Sequence, residues 1–394
     1  MGKVRLAVVS PSVDKRHGTE RRVAECISRL AEEFEIHLYS MAVEDVDLRR
    51  IHLHRVPSIP GPHLVGYLWW FFANHLWRWW DASFRGGRPD LVYSPGINCL
   101  DADAVTVHVV FAELRRQLGE ELSFGKNPPR FWPKLIHRRL YYRLIRALER
   151  RVYPRPSLAV GAVSHKVAEE LERHFGRKDS VAVIYQGIDH EVFNPANRLR
   201  RRQEMRRQFG IADHEFALLL IGNGWKNKGL DCLLEAMAQL ADLPVRLLVA
   251  GRDDRAPYEA RLRENGLQGR VRFFDPSADV VQFYAAADAY VGPSLQDSFA
   301  QPPAEAMACG LPVITSSQNG GSEIITHGVD GFVLRDARDS AGLARLIRQL
   351  YENAALRESV ARAAGETAAR LSWEHNAAEM RELFEEARRR KSDR

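Results

Sequence analysis

Short apolar runs alternate with amphipathic segments along most of the chain. The runs 4–10 and 104–110 are mainly apolar, which predicts strands buried on both faces, as in a parallel sheet. The segment 19–33 has apolar residues three and four positions apart, which predicts a helix. The same alternation starts again at residue 216. We therefore expect an α/β protein built from two halves of similar size.

A charged stretch that includes RLRRRQEMRRQ separates the two halves. We predict an N-terminal domain over residues 1–188 and a linker over 189–214. A C-terminal domain then covers 215–371, and a final helix with a basic tail covers 372–394. At 394 residues the chain is long enough for two separate cores.

The formal net charge of +6 is concentrated in the N-terminal half, where residues 111–155 hold twelve Arg or Lys residues and four acids. This basic stretch is either an ordinary solvated helix face or a surface that attracts anionic lipid headgroups. No nucleic-acid recognition motif accompanies the charge, so nucleic acid is not a predicted partner. If the stretch is helical, its predicted apolar stripe consists of Leu135, Leu140, Tyr141, Leu144, Ile145 and Leu148.

Five of the eight tryptophans lie within residues 64–80, LVGYLWWFFANHLWRWW. As a helix, this segment carries aromatic rings on nearly every side. The helix is either packed between the sheet and neighbouring helices, or it lies at a membrane interface, where tryptophan is favoured at the level of the lipid headgroups. Asn74, His75 and Arg78 interrupt the segment, so we do not expect it to span a bilayer.

The N-terminal residues MGKVRLAVVS are typical of a first strand rather than a signal peptide, because their apolar run is too short. The four cysteines are far apart and form neither a CxxC motif nor a zinc-binding pattern. The cytoplasm is therefore the expected compartment. If the aromatic and basic segments bind lipid, the protein is peripheral on the inner face of the cytoplasmic membrane.

The stretch 290–334 carries much of the candidate chemistry. Pro302 and Pro303 suit the first turn of a helix, where a missing N–H is tolerated. Asp297 lies in the preceding loop and Glu305 lies within the helix. Such a carboxylate pair suits acid–base chemistry or hydrogen bonds to sugar hydroxyls, although a loop cap and an ordinary helix residue explain it too. Loops at this edge of a parallel sheet commonly bind ligands, and helix N-termini favour phosphates.

Three further features bear on ligand binding. The loop 222–229, GNGWKNKG, holds Lys226 and Lys228 near a helix N-terminus, where they would stabilise a diphosphate; a turn with surface lysines explains it about as well. His108 lies late in a strand, where a single histidine is more often structural than catalytic. The D-x-D at 101–103 leads directly into a strand and is accompanied by no cluster of metal ligands. We therefore predict no metal.

The order and spacing of these motifs resemble the retaining family-4 glycosyltransferases. Residues 293–334 are similar to that family's E-x7-E region and to the G-x-P-V-I and G-G-x-x-E-I-I segments that follow it. VSHKVAEEL and NKGLDCLLEA are further matches, and GNGWKNKGLD is also similar to lipopolysaccharide-core glucosyltransferases. The resemblance covers nearly the whole chain. It implies the GT-B fold, with two Rossmann-like doubly wound domains facing across a cleft and the C-terminal helix crossing back to the N-terminal domain.

The resemblance also implies roles for individual residues. Glu305 matches the glutamate that binds the nucleotide ribose, and Asp297 matches the acidic residue beside the donor sugar. Lys228 matches the lysine that neutralises the diphosphate, and His108 matches the histidine that touches the transferred sugar. The other implied donor-binding residues are Gly18 after the first strand, Asn223 and Lys226 beside Lys228, Ser298, Phe299 and Ala300 through their backbone amides, and Gly320 and Gly321 in a turn over the donor.

The sequence departs from the family's pattern at three positions. The first motif glutamate is Asp297, which is shorter by one methylene. The usual double-glycine loop reads His17-Gly18. The arginine that normally precedes the lysine is Asn223, so Lys226 would supply the second cation.

The implied activity is metal-independent, retaining transfer of a hexose from a nucleotide-diphosphate sugar to a glycan or glycolipid acceptor. The product would be a cell-envelope polysaccharide or lipopolysaccharide, and no cofactor is implied besides the donor substrate. Two alternatives stay open: a nucleotide-sugar epimerase of the same fold, and a non-catalytic, membrane-bound glycan-binding protein. The departures at Asp297 and Asn223 favour the second of these. A phosphorylase is disfavoured, because the sequence shows no motif for a pyridoxal lysine.

Overall fold

The computed structural model describes residues 2–15, 18–84, 87–118, 123–126, 128–178 and 180–393. They form two compact units. Unit 1 consists of Met1–Tyr185 together with Trp373–Arg394, and unit 2 consists of Gln186–Ser372.

The strands of unit 1 are parallel and short, as expected for strands covered by helices on both faces. They are β1 (Val4–Val9), β2 (Ser12–Val13), β3 (Phe34–Ser40), β4 (Ala42–Val43), β5 (Ile51–Arg55), β6 (Leu91–Pro95), β7 (Ala104–Val107), β8 (Ala159–Ala162) and β9 (Val181–Val183).

Helices connect these strands. They are α1 (Gly18–Leu30), α2 (His63–Phe84), α3 (Phe111–Gln117), α4 (Trp132–Val152) and α5 (His165–Phe175). Single turns of 3₁₀ helix occur at Phe124–Lys126 and Pro129–Phe131.

The main sheet of unit 1 has the strand order β5-β3-β1-β6-β7-β8-β9, and β2 pairs separately with β4. The chain builds outward from β1 in one direction, then returns to β6 and builds outward in the other. The strand order therefore reverses between β1 and β6, the arrangement of a doubly wound sheet. In such sheets ligands bind beyond the carboxyl ends of the strands at this reversal.

Unit 2 has one parallel sheet, of order β12-β11-β10-β13-β14-β15, with its reversal between β10 and β13. This is the strand order of a dinucleotide-binding Rossmann fold. The strands are β10 (Phe216–Ile221), β11 (Val245–Ala250), β12 (Val271–Phe274), β13 (Ala289–Gly292), β14 (Val313–Ser316) and β15 (Phe332–Leu334).

The helices of unit 2 are α6 (Pro195–Gln208), α7 (Leu230–Ala238), α8 (Ala256–Glu264), α9 (Val281–Ala286), α10 (Gln301–Ala308), α11 (Ser340–Glu352) and α12 (Ala354–Ala368), with a 3₁₀ helix at Gly320–Ile324. The last helix, α13 (Trp373–Ser392), belongs to unit 1. It packs on α1 and on β6 to β8, and its Phe384 lies in the same core as Leu38 of β3.

The two predicted parallel α/β domains are thus confirmed, but the predicted linker is not a linker. Within 189–214, α6 packs on α9 as part of unit 2. Arg202 and Arg206 explain this, because both donate hydrogen bonds to the carboxylate of Asp288, at 2.5 and 3.0 Å. The arginines that suggested an exposed linker in the sequence therefore attach the helix to its unit.

Helix α2 has two different faces. One is buried and includes Trp70, Asn74 and Arg78. The opposite face remains exposed although it is apolar: Phe72 is 66% exposed and Trp79 is 58% exposed. The helix is thus packed on one side only, so neither proposed environment describes it completely.

The predicted apolar stripe of α4 is partly wrong. The helix buries Leu135 and Ile145, whereas Leu140 is 51% exposed. In the described residues, no helix combines the length and apolarity that crossing a bilayer requires.

Candidate functional site

The loops after β10 and β13 meet at the point where the strand order of unit 2 reverses. Lys228, at the end of the first loop, donates to Asp297 in the second: its Nζ lies 2.5 Å from Oδ2. Both side chains are largely buried, at 15% and 19% exposure. An ion pair that is partly withdrawn from water is stronger than a surface pair. The structure therefore brings together two of the residues predicted to act on the donor.

Glycine permits the loop after β10 to turn back towards β13. Gly222, Gly224 and Gly229 all have positive φ, at 136°, 73° and 83°, a region that side chains with a Cβ rarely occupy. At Gly229 a Cβ would also lie 2.1 Å from the carbonyl oxygen of Pro293. This close approach of two backbones sets the position of Lys228, the preceding residue.

Two groups hold the loop in place. The Asp253 carboxylate accepts hydrogen bonds from the amides of Gly224 and Trp225, at 2.8 and 3.3 Å. The Trp225 ring is fully buried and stacks on Phe273, with ring centroids 5.0 Å apart. The lysine is therefore carried by a loop that these contacts hold in place, although in sequence a turn with surface lysines explains the segment about as well.

Asn319 organises the second loop. Its Oδ1 accepts hydrogen bonds from the amides of Ala300 and Gly321, at 3.1 and 3.0 Å. The Gly320 amide donates to the backbone oxygen of Asp297 at 3.0 Å. Ala300, whose amide was predicted to contact the donor, and Gly320 and Gly321, which were predicted to form a turn over it, thus hold the Asp297 loop through these amides. The sequence signal for Asn319 is its position directly before the glycine pair, where asparagine favours a turn.

Glu305 is 8% exposed, and its Oε2 accepts a hydrogen bond of 2.8 Å from the Tyr284 hydroxyl. Burial, together with the negative charge of Glu305, holds the pKa of Tyr284 well above its ordinary value. The tyrosine therefore remains a donor to the carboxylate at any working pH. The Phe299 ring is buried just before α10, the helix that contains Glu305, and Ser298 is half-buried in the preceding loop.

Asn223 and Lys226 lie on the same loop as Lys228, and both are exposed. The Asn223 side chain accepts a hydrogen bond from the Arg252 amide at 2.8 Å, so its oxygen is fixed locally. Because its side chain is exposed, Lys226 lies on the solvent side of the loop, whereas Lys228 points inward towards Asp297.

The two remaining predicted residues lie in unit 1. Gly18 begins α1 and is exposed, whereas the neighbouring His17 lies outside the described residues. His108 follows β7 and lines a cavity of about 210 Å³ together with Pro95, the last residue of β6, and Gly96, which follows it. The cavity thus lies near the reversal of strand order in unit 1. Its other lining residues include Thr19, Tyr67, Asn98 and Tyr141.

The imidazole of His108 is electrically neutral at ordinary pH. Its Nε2 is buried and has no hydrogen-bond partner among the described residues. Burial, reinforced by the positive charge of Arg22, holds the pKa of His108 well below its ordinary value. A buried polar atom without a partner favours a polar ligand in this cavity, because an unsatisfied group is costly.

The D-x-D carboxylates are engaged by the protein itself. Arg78 donates to Asp101 Oδ2 at 2.6 Å, and Asp103 accepts hydrogen bonds from the Val92 amide and Lys391, at 3.0 and 2.9 Å. Both aspartates thus have structural partners in unit 1.

Comparisons with known proteins agree with this arrangement. Residues 201–367 match the family model for glycosyl transferases group 1, and residues 16–192 match the model for glycosyltransferase family 4. Together the two models cover most of the chain.

Among curated proteins, the chain is similar to the D-inositol 3-phosphate glycosyltransferase of Corynebacterium diphtheriae, with 32% identity over 230 residues. That region is 55% of this chain and 53% of the relative. The corresponding enzyme of Mycolicibacterium smegmatis is 31% identical over 51% of this chain and 46% of its own length. The match thus spans about half the length of these relatives.

Among solved structures, the chain is similar to WaaG, a glycosyltransferase involved in lipopolysaccharide biosynthesis, with a TM-score of 0.72 and 21% identity. The similarity covers 94% of this chain and 98% of WaaG. Anabaena Alr3699/HepE in complex with UDP and glucose gives a TM-score of 0.68 at 20% identity, over 97% of this chain and 99% of that one. The chain belongs to the family-4 glycosyltransferases, which are built on the GT-B fold.

Proposed function

We propose that this protein is a retaining glycosyltransferase that moves a hexose from a nucleotide-diphosphate sugar to a glycan or glycolipid acceptor. The observation that supports this most directly is the Lys228–Asp297 pair at the strand-order reversal of unit 2. A cation held at this position suits a diphosphate, and an adjacent carboxylate suits sugar hydroxyls.

In the proposed reaction, the bond between the sugar's anomeric carbon and the diphosphate oxygen breaks. Lys228 stabilises the negative charge that develops on the leaving diphosphate, so the step needs no metal ion. The acceptor hydroxyl attacks from the face that the diphosphate leaves, and a phosphate oxygen takes the hydroxyl proton. Asp297 orients the sugar and forms no covalent bond, and Glu305 binds the ribose.

His108 has a separate part in this proposal. As a neutral imidazole with a buried ring nitrogen, it would form a hydrogen bond with a hydroxyl of the transferred sugar without adding a positive charge.

A panel of UDP- and GDP-hexoses tests the donor. A ligand that binds only the folded state stabilises it by about 2.7 kcal/mol at one hundred times its Kd, which raises the melting temperature by several degrees. We expect such a shift with one donor, lost in Lys228→Ala and retained in Lys178→Ala, a change at an exposed lysine of unit 1. If no nucleotide sugar of the panel raises the melting temperature of correctly folded protein, the proposal is overturned.

Two measurements test the chemistry. Transfer by enzyme treated with a chelator should be unchanged if no metal takes part. The product's anomeric configuration, read by NMR, should match that of the donor. Inversion would refute the retaining mechanism and leave the donor proposal intact.

We further propose that unit 1 docks on anionic membrane at the inner face of the cytoplasmic membrane, where a glycolipid acceptor would be presented. On α2 an exposed stripe runs along one face; we call it the apolar stripe. It consists of Val65, Leu68, Phe72, Leu76 and Trp79.

Helix α4 is a second part of unit 1 that exposes apolar and basic side chains. It contacts α2 through Tyr141, whose ring meets the Tyr67 ring edge to face at 5.6 Å between centroids. It exposes Trp132 and Ile136, and elsewhere on its surface it exposes basic side chains such as Arg138. Exposed apolar and cationic groups in one unit fit an anionic bilayer, where each basic residue near the bilayer surface contributes about 1 kcal/mol.

Co-sedimentation with vesicles containing phosphatidylglycerol tests this docking. We expect binding that weakens as salt rises, because the attraction is partly electrostatic. Phe72→Ser should reduce it several-fold, whereas Val329→Ser, at an exposed apolar residue of unit 2, should not. If the amount of protein that sediments with the vesicles changes neither with salt nor in Phe72→Ser, membrane docking is refuted.

A further inference from the structure

Unit 1 contains a second cavity, of about 650 Å³, between edge strand β5 and the C-terminal half of α2. We call it the tryptophan pocket. The comparisons and the proposed transfer mechanism assign it no role. Its lining residues are Leu53, His54 and Arg55 of β5, and Leu76, Trp77, Trp79, Trp80 and Asp81 of α2.

One side of the pocket is polar and held in place. His54 Nδ1 lies 2.6 Å from Asp81 Oδ2, and both side chains are largely buried, at 16% and 10% exposure. The other ring nitrogen of His54 lies 3.0 Å from His37 Nδ1, and His37 Nε2 lies 3.1 Å from Glu35. The Tyr39 ring stacks on His54, with centroids 4.4 Å apart. This chain of contacts fixes the orientation of the polar groups before any ligand arrives.

The other side of the pocket is aromatic and open to solvent. Trp79 and Trp80 are 58% and 51% exposed. Their rings are partly held by Phe84, at centroid distances of 6.1 and 4.5 Å. Large exposed aromatic rings beside a cavity commonly mark a binding site.

This combination fits a sugar ring better than an alkyl chain. The apolar face of a pyranose packs flat on an indole, while its hydroxyls need both donors and acceptors. The Asp81 carboxylate supplies acceptors and the exposed Arg55 supplies donors, whereas both ring nitrogens of His54 are already in contact with Asp81 and His37. A pocket for an alkyl chain would gain nothing from the largely buried Asp81 carboxylate in its wall, because burying charge is costly.

The position of the pocket indicates where this sugar comes from. Leu76 and Trp79 belong both to the pocket and to the apolar stripe proposed to contact the membrane. Leu53–Arg55 is at the carboxyl end of β5, and His108 follows the carboxyl end of β7, four strands away. At 4.7–4.9 Å per strand, the two sites are roughly 19 Å apart.

We infer that the tryptophan pocket binds a sugar residue of a membrane glycolipid headgroup, at a site distinct from the His108 cavity. The membrane source of the sugar and its identity as the acceptor rest on the proposed function. The binding itself needs neither donor nor transfer.

Octyl β-glucoside, below its micellar concentration, is a suitable probe. Isothermal titration without nucleotide sugar should show saturable binding to the wild-type protein. Octyl tetraethylene glycol, which has the same chain and no sugar, should bind at least tenfold more weakly.

Two variants locate the site, and a third tests its polar wall. Trp80→Ala alters an exposed side chain, so folding should persist, and octyl glucoside binding should fall at least tenfold. Leu199→Ala, at an exposed leucine of unit 2 outside the pocket, should leave it unchanged. Asp81→Asn should weaken octyl glucoside binding while leaving any octyl tetraethylene glycol binding unchanged.

Equal binding of both detergents, with equal loss in Trp80→Ala, would overturn the inference and indicate an apolar groove only. Absence of saturable octyl glucoside binding to folded protein would overturn it as well. Neither result bears on the donor site, which is tested separately through Lys228 and the nucleotide sugars.

Discussion

Lys228 carries a stronger prediction than any other single residue. Replacing it with alanine removes the cation that would meet the leaving diphosphate and leaves Asp297 without its 2.5 Å partner. We expect Lys228→Ala to lower kcat/KM by about 10²–10³-fold, the usual loss when one electrostatic contact to developing charge is removed. Lys228→Arg should retain part of the activity.

Steady-state kinetics with the donor identified by the panel provide the measurement. Lys226→Ala, on the same loop but exposed, should cost less than Lys228→Ala. If the two variants lose equal activity, the inward position of Lys228 has no special importance for the reaction.

Glu170 gives a prediction about pH. Burial on α5, aided by the nearby charge of Glu113, raises its pKa to about 7, against about 4.3 for an exposed glutamate. Between these values the folded state holds a proton that the unfolded state has released. The free energy of unfolding contributed by this group therefore falls as pH rises from about 4 to 7.

Glu170→Gln should consequently be more stable than the wild type at pH 8, by about 1–3 kcal/mol, and about equal to it at pH 4. Urea unfolding at both pH values measures this. Glu169→Gln, at the exposed neighbour on the same helix, should show no pH-dependent difference. A Glu170 variant that is less stable at pH 8 would contradict the prediction.

At the residue scale, the sequence predicted which residues lie in one region but not which hydrogen bonds they form with one another. Motif spacing brought Lys228, Asp297 and Glu305 into one region of unit 2, and the structure agrees. Motif spacing did not reveal that Asn319 accepts hydrogen bonds from the amides of Ala300 and Gly321. Such contacts depend on the path of two loops in space, which the spacing of residues along a chain does not encode.

At the scale of elements, the loop after β10 depends on Gly229. Its φ of 83° disfavours a side chain, and a Cβ there would lie 2.1 Å from the Pro293 oxygen. Gly229→Ala must therefore displace one of the two loops. We expect it to lower the free energy of unfolding by about 2–4 kcal/mol, as other steric conflicts in packed regions do.

Gly266→Ala is a matched control. Gly266 also has positive φ, at 64°, but a Cβ there meets nothing within 4 Å. Gly266→Ala should lower the free energy of unfolding only by the cost of placing alanine in this backbone conformation, about 1–2 kcal/mol. Equal losses in the two variants, measured by urea unfolding, would show that the contact with Pro293 does not matter.

Strands and the alternation of elements were predictable because burial on both faces leaves a plain apolar run. The orientation of helices was less so. Helix α2 is aromatic all round, and periodicity alone could not identify Trp70 as buried and Phe72 as exposed. Helix α6 looked like a linker because its arginines are polar, yet Arg206 is buried against Asp288. Buried charge is visible only when its partner is known.

At the scale of the whole molecule, unit 1 depends on α13. Phe384 is 1% exposed, and its ring meets those of Phe34 and Tyr93, at centroid distances of 5.7 and 5.2 Å. Phe384→Ala should destabilise unit 1 by about 3–5 kcal/mol, through lost burial and the cavity left behind.

Hydrogen exchange resolved by peptide measures this. Amides of β1 and β6 should exchange faster in Phe384→Ala, whereas those of β10 and β13 should be unaffected. Phe84→Ala, at a phenylalanine that is 65% exposed, should change neither set. Equal acceleration in both units would contradict the assignment of α13 to unit 1.

The return of α13 to unit 1 also has a consequence for how the protein is made. A ribosome delivers Met1–Tyr185 first, then the whole of unit 2, and only then Trp373–Ser392. Unit 2 is continuous and can fold as it emerges. The apolar surface of unit 1 that α13 covers therefore stays uncovered while unit 2 is synthesised, which takes roughly 10–40 s at typical elongation rates. During that interval the nascent chain presents a binding surface for chaperones, although the finished protein buries it.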